Sequence, residues 1–509
     1  MTKVSTNAKV VLVILLLVLA AGGSHYLFNN AANASSPIQH IVVILQENHS
    51  FDNYFGTYLG VNGIPSNICM PYNPSNPSSG CVMPFLTTDP VTVHDLPHGF
   101  ESTVTAINNG SMNGFMLAEN EDPNTMSYYN NSTIPYYWNF ASHFVLADNF
   151  YSSVLSYSLP NHWYAIAGQA PATSIYYGLG TGSPEGVKSQ YLNESNTIET
   201  VADLLMNSTV TWKYYDFPLS VGGYNQSIKD GLAFNYWNPL AAKNSSYTTQ
   251  YSPHFVPRAD IFNDIGNNTL PQVSWVIPSA PISEHPPANI TLGMIWVTDV
   301  VDAIMKSPYW QNTAIIITWD DYGGFYDNAV PPHIDTLGYS FRVPALIISP
   351  YSKPGYVDKT QYSFESTLRF IEWRFNLPSL TARDASANNL LNAFNFDQKP
   401  LSPDFIPLSG SELAAISPYV GQSTNVNPNP SGSGTTTTTR STASDTTLVK
   451  SLRSQISNLS SSLSNANQEL SSSAQELSVR TDLLYASLVA SIMLAVGLIL
   501  VIRRPKFKT

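Results

Sequence analysis

Two apolar runs in this chain end in the same unusual way, and that ending restricts the fold more than any other feature. In "IVVILQENHSFDNYFGTY", residues 41–58, five apolar residues from Ile41 to Leu45 give way at once to Gln46, Glu47, Asn48 and His49. In "TAIIITWDDYGGFYDNAVPPH" the apolar, β-branched run from Ala314 to Thr318 leads into Asp320 and Asp321, then Gly323 and Gly324. A short unbroken apolar run reads as a strand covered on both faces, the kind found in parallel sheets enclosed by helices. A polar cluster where such a strand stops marks the crevice in which open α/β sheets bind their ligands. Adjacent carboxylates there repel each other unless a proton or a cation lies between them, and the Gly-Gly that follows is too tight for a casual acidic turn. Glu47, Asn48, Asp320 and Asp321 together are oxygen donors suited to a divalent metal ion, and several metals fit such a set.

A third segment supplies a candidate nucleophile. "LADNFYSSVLSYSLPNHWYAIAG", residues 146–168, has an apolar start, a Ser-rich turn and a pattern that predicts a helix from near Pro160. Ser158 then stands just ahead of that helix, where backbone N–H groups and the dipole favour an anion. The same position suits a residue that only caps the helix, and the local pattern by itself favours the cap. Two histidine segments complete the set, "HDLPH" with His94, Asp95 and His98, and "SEHPP" with Glu284 and His285.

Composition limits the partners. Of 509 residues only 11% are charged, against roughly 25% in an average soluble protein. The net charge is −12, and the six cations at the two ends, Lys3, Lys9, Arg503, Arg504, Lys506 and Lys508, have no acid near them. The chain between them carries 17 basic and 35 acidic residues, a net of −18, which repels a phosphate backbone and disfavours nucleic acid binding. An acidic surface with few charges also suits an acidic exterior.

Both ends are membrane-directed. Two lysines precede "VVLVILLLVLAAGG", so residues 1–28 read as a signal peptide or an N-terminal anchor. Residues 483–502, "LLYASLVASIMLAVGLILVI", hold 20 residues without a charge, followed by a basic tail at 503–509. That length spans a bilayer and the cations put the tail inside, so a single C-terminal transmembrane helix at the cell membrane leaves the bulk of the protein extracellular. Cys69 and Cys81 bracket a Pro/Ser/Asn loop, and a disulfide closing it is the natural expectation outside the cell. Twelve N-x-S/T sequons agree with surface exposure there. Between head and membrane, residues 419–447 form a Ser/Thr/Pro-rich linker. Residues 448–482 carry apolar residues at seven-residue intervals, Ile456, Leu463, Leu470 and Leu477, which predicts a stalk helix, single or paired as a coiled coil.

Taken together the segments of the head carry a resemblance. "QENHSFDNYFGTY", the Asp95-x-x-His98 segment, "YSLPNHWYAIAG", "SWVIPSAPISEHPP", "TWDDYGGFYDNAVPP", "FRVPALIISPYS" and "RFIEWRFNLPSLTARDA" occur in this order across residues 37–398. The series resembles the phosphoesterase family that contains bacterial phospholipases C of the non-hemolytic type and related acid phosphatases. The resemblance implies an α/β fold, an alkaline-phosphatase-like core sheet flanked by helices, for a catalytic domain over residues 37–418. It implies metal ligation by Glu47, Asn48, Asp320 and Asp321, a nucleophile at Ser158 in place of a mere cap, and phosphate-facing histidines at His98 and His285. Two positions depart from the family pattern. Asn328 stands where a His often follows the Phe-Tyr-Asp segment, and Phe364 stands where another often precedes the last helix.

The expectation is a membrane-anchored, metal-dependent phosphoesterase that hydrolyses a phosphate ester substrate through a serine nucleophile, with an oligomer through the stalk as a further expectation. Acid phosphatase activity fits the acidic, charge-poor exterior. Phospholipase C activity on phosphodiesters is the alternative, and a non-catalytic surface-layer or adhesion head is the alternative of another class. Residues 170–265, rich in Tyr, Asn and Ser, match no pattern and are the place expected for a lid or for substrate specificity.

Overall fold

Every residue from Ile41 to Gln46 is buried, so strand β1 (His40–Gln46) is covered on both faces. The computed structural model describes residues 36–91, 94–179, 183–216, 237–243 and 250–420. The N-terminal apolar segment, the stalk, the C-terminal apolar span and the basic tail lie outside the described residues, as does the linker from residue 421 on. The last described helix, Gly410–Val420, runs two residues into the stretch expected as linker. Among the described residues no helix is long and apolar enough to cross a membrane.

The main sheet has eight strands among the described residues. After β1 come β2 (Val145–Ala147), β3 (Trp212–Asp216), β4 (Phe255–Pro257), β5 (Val273–Val276), β6 (Thr313–Trp319), β7 (Ala345–Ile348) and β8 (Tyr356–Asp358). Their spatial order is β8-β2-β7-β6-β1-β5-β3-β4. β1 lies between β6 and β5, parallel to both, with Ile44 opposite Ile317 on one side and Val276 on the other. β7 runs antiparallel to both of its neighbours, β6 and β2, and the other pairings are parallel. The sheet is therefore mixed, with the ends of β1 and β6 side by side at one edge.

Helices cover the sheet. α1 (Phe51–Phe55) follows β1 directly, begun by Ser50, whose side chain accepts from the Asn53 N–H. α2 (Pro135–His143) precedes β2, and α3 (Ser158–Ala167) is buried at all ten positions. α4 (Ile290–Met305) and α5 (Phe364–Phe375) follow. α3 packs on α5, while α4 packs on α2 and on Gly410–Val420. Of residues 170–265, the place expected for a lid or for substrate specificity, Trp212–Asp216 and Phe255–Pro257 join the sheet as β3 and β4, while Tyr176 and Trp237 approach the site described below.

One buried cation ties the loops at this edge. Arg342, fully buried, donates from Nε to Asp327 Oδ1 at 3.0 Å, from Nη1 to Asp148 Oδ1 at 3.0 Å and from Nη2 to Asp52 Oδ1 at 3.3 Å. It thus joins α1, the end of β2 and the loop after β6, while its guanidinium lies 4.5 Å from the centre of the Phe51 ring. Elsewhere Cys69 and Cys81 form a disulfide.

Candidate active site

The ends of β1 and β6 are locked together by the groups they carry. The Asp320 N–H donates to Gln46 O at 3.0 Å, and the Asn48 N–H donates to Asp320 Oδ1 at 2.8 Å. Asn48 takes φ 60°, and Gly323 and Gly324 take φ 59° and 81° in the turn that follows. A Cβ on Gly323 would lie 2.2 Å from Asn48 O, so the glycine is required by close approach as well as by φ. Glu47, Asn48, Asp320 and Asp321 are all completely buried and face one volume.

Ser158 enters that volume from α3. It is the first residue of the helix, two positions earlier than the sequence pattern predicts, and the N-cap is Tyr157, which makes no side-chain cap bond. The Ser158 hydroxyl is directed at the polar cluster, with Oγ 3.4 Å from Asn48 Oδ1 and 3.4 Å from Asp321 Oδ2. One helical turn on, His162 presents its Nε2 2.9 Å from Glu47 Oε1 and 3.9 Å from Asp320 Oδ2. His162 was not among the residues singled out from sequence. Its spacing from Ser158, i to i+4 on a helix, was the available signal.

His98 and His285 border the same volume. His98 Nδ1 donates to Leu96 O at 2.6 Å, which leaves Nε2 facing Asn48 Nδ2 at 3.3 Å and Asp321 Oδ2 at 3.9 Å. His285 Nδ1 donates to Pro286 O at 2.8 Å, and its Nε2 lies 3.9 Å from Asp95 Oδ2. The two imidazole centroids are 6.2 Å apart. Asp95 also accepts from Asn48 Nδ2 at 3.3 Å and joins the pair. His94 turns away to Asp122, 2.6 Å distant. His49 also turns away, stacked on Phe325 and bonded to Asn53.

Electrostatics at the cluster call for a positive charge. Burial, reinforced by Asp320, pushes Glu47 well above the usual carboxylate range, and the same two causes raise Asp321. Burial opposes ionisation of Asp320 as well, but His162, Glu47, Ser158 and the Asn48 N–H outweigh it and keep that carboxyl low. Burial lowers His162 to about 4, so its imidazole is neutral at physiological pH. No Lys or Arg among the described residues forms an ion pair with Glu47, Asp320 or Asp321. Glu47 Oε2 and Asp320 Oδ2 make no hydrogen bond among the described residues. Buried carboxylates with unpaired oxygens and no cationic partner fit a divalent metal ion held by Glu47, Asn48, Asp320 and Asp321.

Beside His98 a cavity of about 470 Å³ opens, lined by Asp95, His98, Phe100, Tyr157, Tyr176 and Leu179 among others. Its described lining contains no Lys or Arg.

Comparison with known proteins supplies the family. The family model described as "Phosphoesterase family" matches residues 38–378. The chain belongs to the phosphoesterase family. It is a phosphoric ester hydrolase, and the reading of the head as a non-catalytic surface-layer module falls away. Phospholipase C A of Mycobacterium tuberculosis (strain H37Rv) is 29% identical over 423 residues, covering 72% of this chain and 78% of that protein. Non-hemolytic phospholipase C of Burkholderia pseudomallei is 29% identical, over 74% of this chain and 61% of its own length. Non-specific phospholipase C1 of Arabidopsis thaliana is 27% identical, over 72% of each chain. Among solved structures, a protein in the alkaline phosphatase superfamily from Vibrio parahaemolyticus aligns at 14% identity over 69% of this chain and 70% of that one. Its TM-score is 0.34, too low to bear on the fold.

Both departures from the phosphoesterase pattern have structural partners of their own. Asn328 Oδ1 accepts from Arg342 Nη2 at 2.6 Å, and its N–H donates to Asp52 Oδ2 at 2.8 Å, so it belongs to the Arg342 network. Phe364 is buried as the first residue of α5, edge-on to Phe150. Beneath the phosphoesterase site, buried Glu284 accepts from Tyr54 at 2.6 Å, Trp319 Nε1 at 2.9 Å and Gln46 Nε2 at 3.1 Å, with Tyr137 as a fourth donor at 2.5 Å. It therefore braces the residue before Glu47 and the residue before Asp320 against α1 and α2.

Proposed function

We propose that this phosphoesterase hydrolyses phosphodiesters in the manner of a phospholipase C, with Ser158 as the nucleophile. The observation that carries the reading is the Ser158 hydroxyl, released from any capping role and directed at Asn48 and Asp321. Glu47, Asn48, Asp320 and Asp321 would hold a divalent cation, which would supply compensation for phosphoryl charge and favour the ionised serine oxygen.

Ser158 Oγ attacks phosphorus, and its proton passes to the Asp321 carboxylate, whose Oδ2 is 3.4 Å away. The Oγ–P bond forms as the bond from phosphorus to the leaving oxygen breaks. His98 or His285, as imidazolium, gives a proton to that oxygen through Nε2, since Nδ1 of each is committed to a backbone carbonyl. Water, giving up a proton to the now neutral imidazole, then attacks phosphorus as the Oγ–P bond breaks, and Asp321 returns its proton to Oγ to restore the hydroxyl.

The choice of a diester over a monoester rests on the cavity and on the relatives. A monoester dianion calls for cationic side chains around its extra charge, and the described cavity lining has none. Its aromatic and apolar walls suit an esterified organic group. The curated relatives named above are phospholipases C. Acid phosphatase activity, favoured from the sequence, becomes the second reading. We further propose that the catalytic part lies outside the cell, anchored by residues 483–502; the Cys69–Cys81 disulfide supports an oxidising compartment.

The test is a substrate panel with p-nitrophenyl phosphate, bis-p-nitrophenyl phosphate and phosphatidylcholine vesicles, run with wild type and Ser158→Ala. Release of diacylglycerol and faster turnover of the diester than of the monoester are expected, with both lost in the variant. Turnover confined to the monoester would establish the phosphatase instead. Near-normal turnover in Ser158→Ala would end the serine mechanism.

A further inference from the structure

The chain offers the metal site one donor beyond the four oxygen-bearing residues. His162 lies on α3 one turn after Ser158 and is completely buried, as are Glu47 and Asp320. One ligand atom from each of these three, the imidazole nitrogen and a carboxylate oxygen from each acid, falls within 4.8 Å of the others. Nε2 is 2.9 Å from Glu47 Oε1 and 3.9 Å from Asp320 Oδ2, a convergence that a single point can share. A hydrogen bond to Glu47 would satisfy only one oxygen, whereas Glu47 Oε2 and Asp320 Oδ2 stay without a partner among the described residues. Two unpaired buried carboxylate oxygens facing an imidazole nitrogen form the donor set of a cation site.

We propose that His162 Nε2 is a ligand of the cation held by Glu47 and Asp320, and that the resulting nitrogen–oxygen donor set selects a borderline transition-metal ion over Mg²⁺ or Ca²⁺. The inference rests on the metal-dependent reading of the site given above. Its chemical basis is ligand softness: carboxylate and amide oxygens by themselves suit Mg²⁺, Ca²⁺ and Mn²⁺, while a neutral imidazole shifts preference toward Zn²⁺ and iron. Metal binding also accounts for a histidine buried among carboxylates one turn of helix after the nucleophile, since one ion would then orient both Ser158 and its anionic neighbours.

The full-length chain, stripped with chelator and reloaded with Zn²⁺, gives a readout that does not depend on activity. X-ray absorption at the zinc edge should show multiple scattering from an imidazole in the wild type. The signal should persist in His98→Gln and His285→Gln and disappear in His162→Gln. Equilibrium dialysis should show Zn²⁺ affinity falling by at least about tenfold in His162→Gln, with Mg²⁺ affinity changed far less. Should His162→Gln fail to fold, the wild type and the other two variants still decide. An all-oxygen zinc environment in wild type, or loss of the signal in His98→Gln or His285→Gln, would overturn the assignment of His162 while leaving a metal phosphoesterase. A wild-type chain that binds no divalent cation would overturn the metal reading itself.

Discussion

Ser158 shows how much a single residue's role depends on where a helix begins. Had the helix started at Pro160, the hydroxyl would have been available to cap it; because Ser158 is itself the first helical residue, Oγ is free for the cluster. Ser158→Ala is accordingly expected to lower kcat by at least about 10³-fold while the chain binds its metal as before, measured by steady-state kinetics and metal analysis. Glu119 carries a different kind of residue-scale consequence. It is buried, neither carboxyl oxygen has a hydrogen bond among the described residues, and burial followed by the charges of Asp122 and Asp95 pushes it up to about 9. Between the ordinary value of 4.5 and about 9 the folded chain keeps a proton that the unfolded chain has lost. Its contribution to stability is therefore fully present below about pH 4.5 and is lost as pH rises toward 9. Glu119→Gln should relieve this, by an amount on the order of 5 kcal/mol at pH 8 and about 1 or less at pH 5. Denaturant melts of both proteins across that range measure it, and a pH-independent difference would contradict the assignment.

At the scale of elements, the site is made by the junction of β1 and β6. The Gly323-Gly324 turn lets the loop after β6 close on the backbone of Asn48, and Ser50 starts α1 so that β1 can turn away from the crevice. Ser50 Oγ accepts from Asn53 N–H and also donates to Tyr326 O at 2.6 Å, linking the two loops. Gly323→Ala should be more damaging than an ordinary glycine replacement. The positive φ costs on the order of 1 kcal/mol, and the 2.2 Å approach to Asn48 O forces the strand ends apart. The expected result is a lower thermal midpoint together with weakened metal binding. Unchanged metal affinity in a destabilised variant would show that the turn supports the fold without shaping the site.

Across the whole molecule, Arg342 ties helix α1, the end of β2 and the loop after β6 together through three different nitrogens. Removing it strands Asp52, Asp148 and Asp327 in the interior, a situation that costs about 3–5 kcal/mol when one partner of a buried pair is lost. Arg342→Met should show a loss of that size in chemical denaturation. Arg342→Lys should recover little of it, because one ammonium cannot reproduce a fork that spans three carboxylates. A lysine variant of wild-type stability would mean that charge, and not geometry, holds the loops.

The two strands with polar ends were legible because their signal is local: apolar runs need cover on both faces, and carboxylates at their ends need a partner. That reasoning reached the α/β character of the head and brought Glu47, Asn48, Asp320 and Asp321 forward as one group, and the motif order supplied the family. His162 was not legible, since a histidine in an apolar helix has the same local appearance whether it packs or ligates; only the approach of α3 to β1 distinguishes the two. The same holds for Ser158, whose local sequence suits a cap and whose tertiary neighbours do not. Residues 170–265 were opaque for the opposite reason. Their polar, aromatic composition matched no pattern, yet Trp212–Asp216 and Phe255–Pro257 pair into the sheet beside β5. Strand pairing is decided by partners far away in the chain, and local composition carries no record of them. Sequence alone thus determined which residues would need a cation or a proton, because burial and charge are properties of short segments. Which nitrogen and which hydroxyl approach those carboxylates was left to the tertiary structure, because distance across a sheet edge is set by how helices and strands pack.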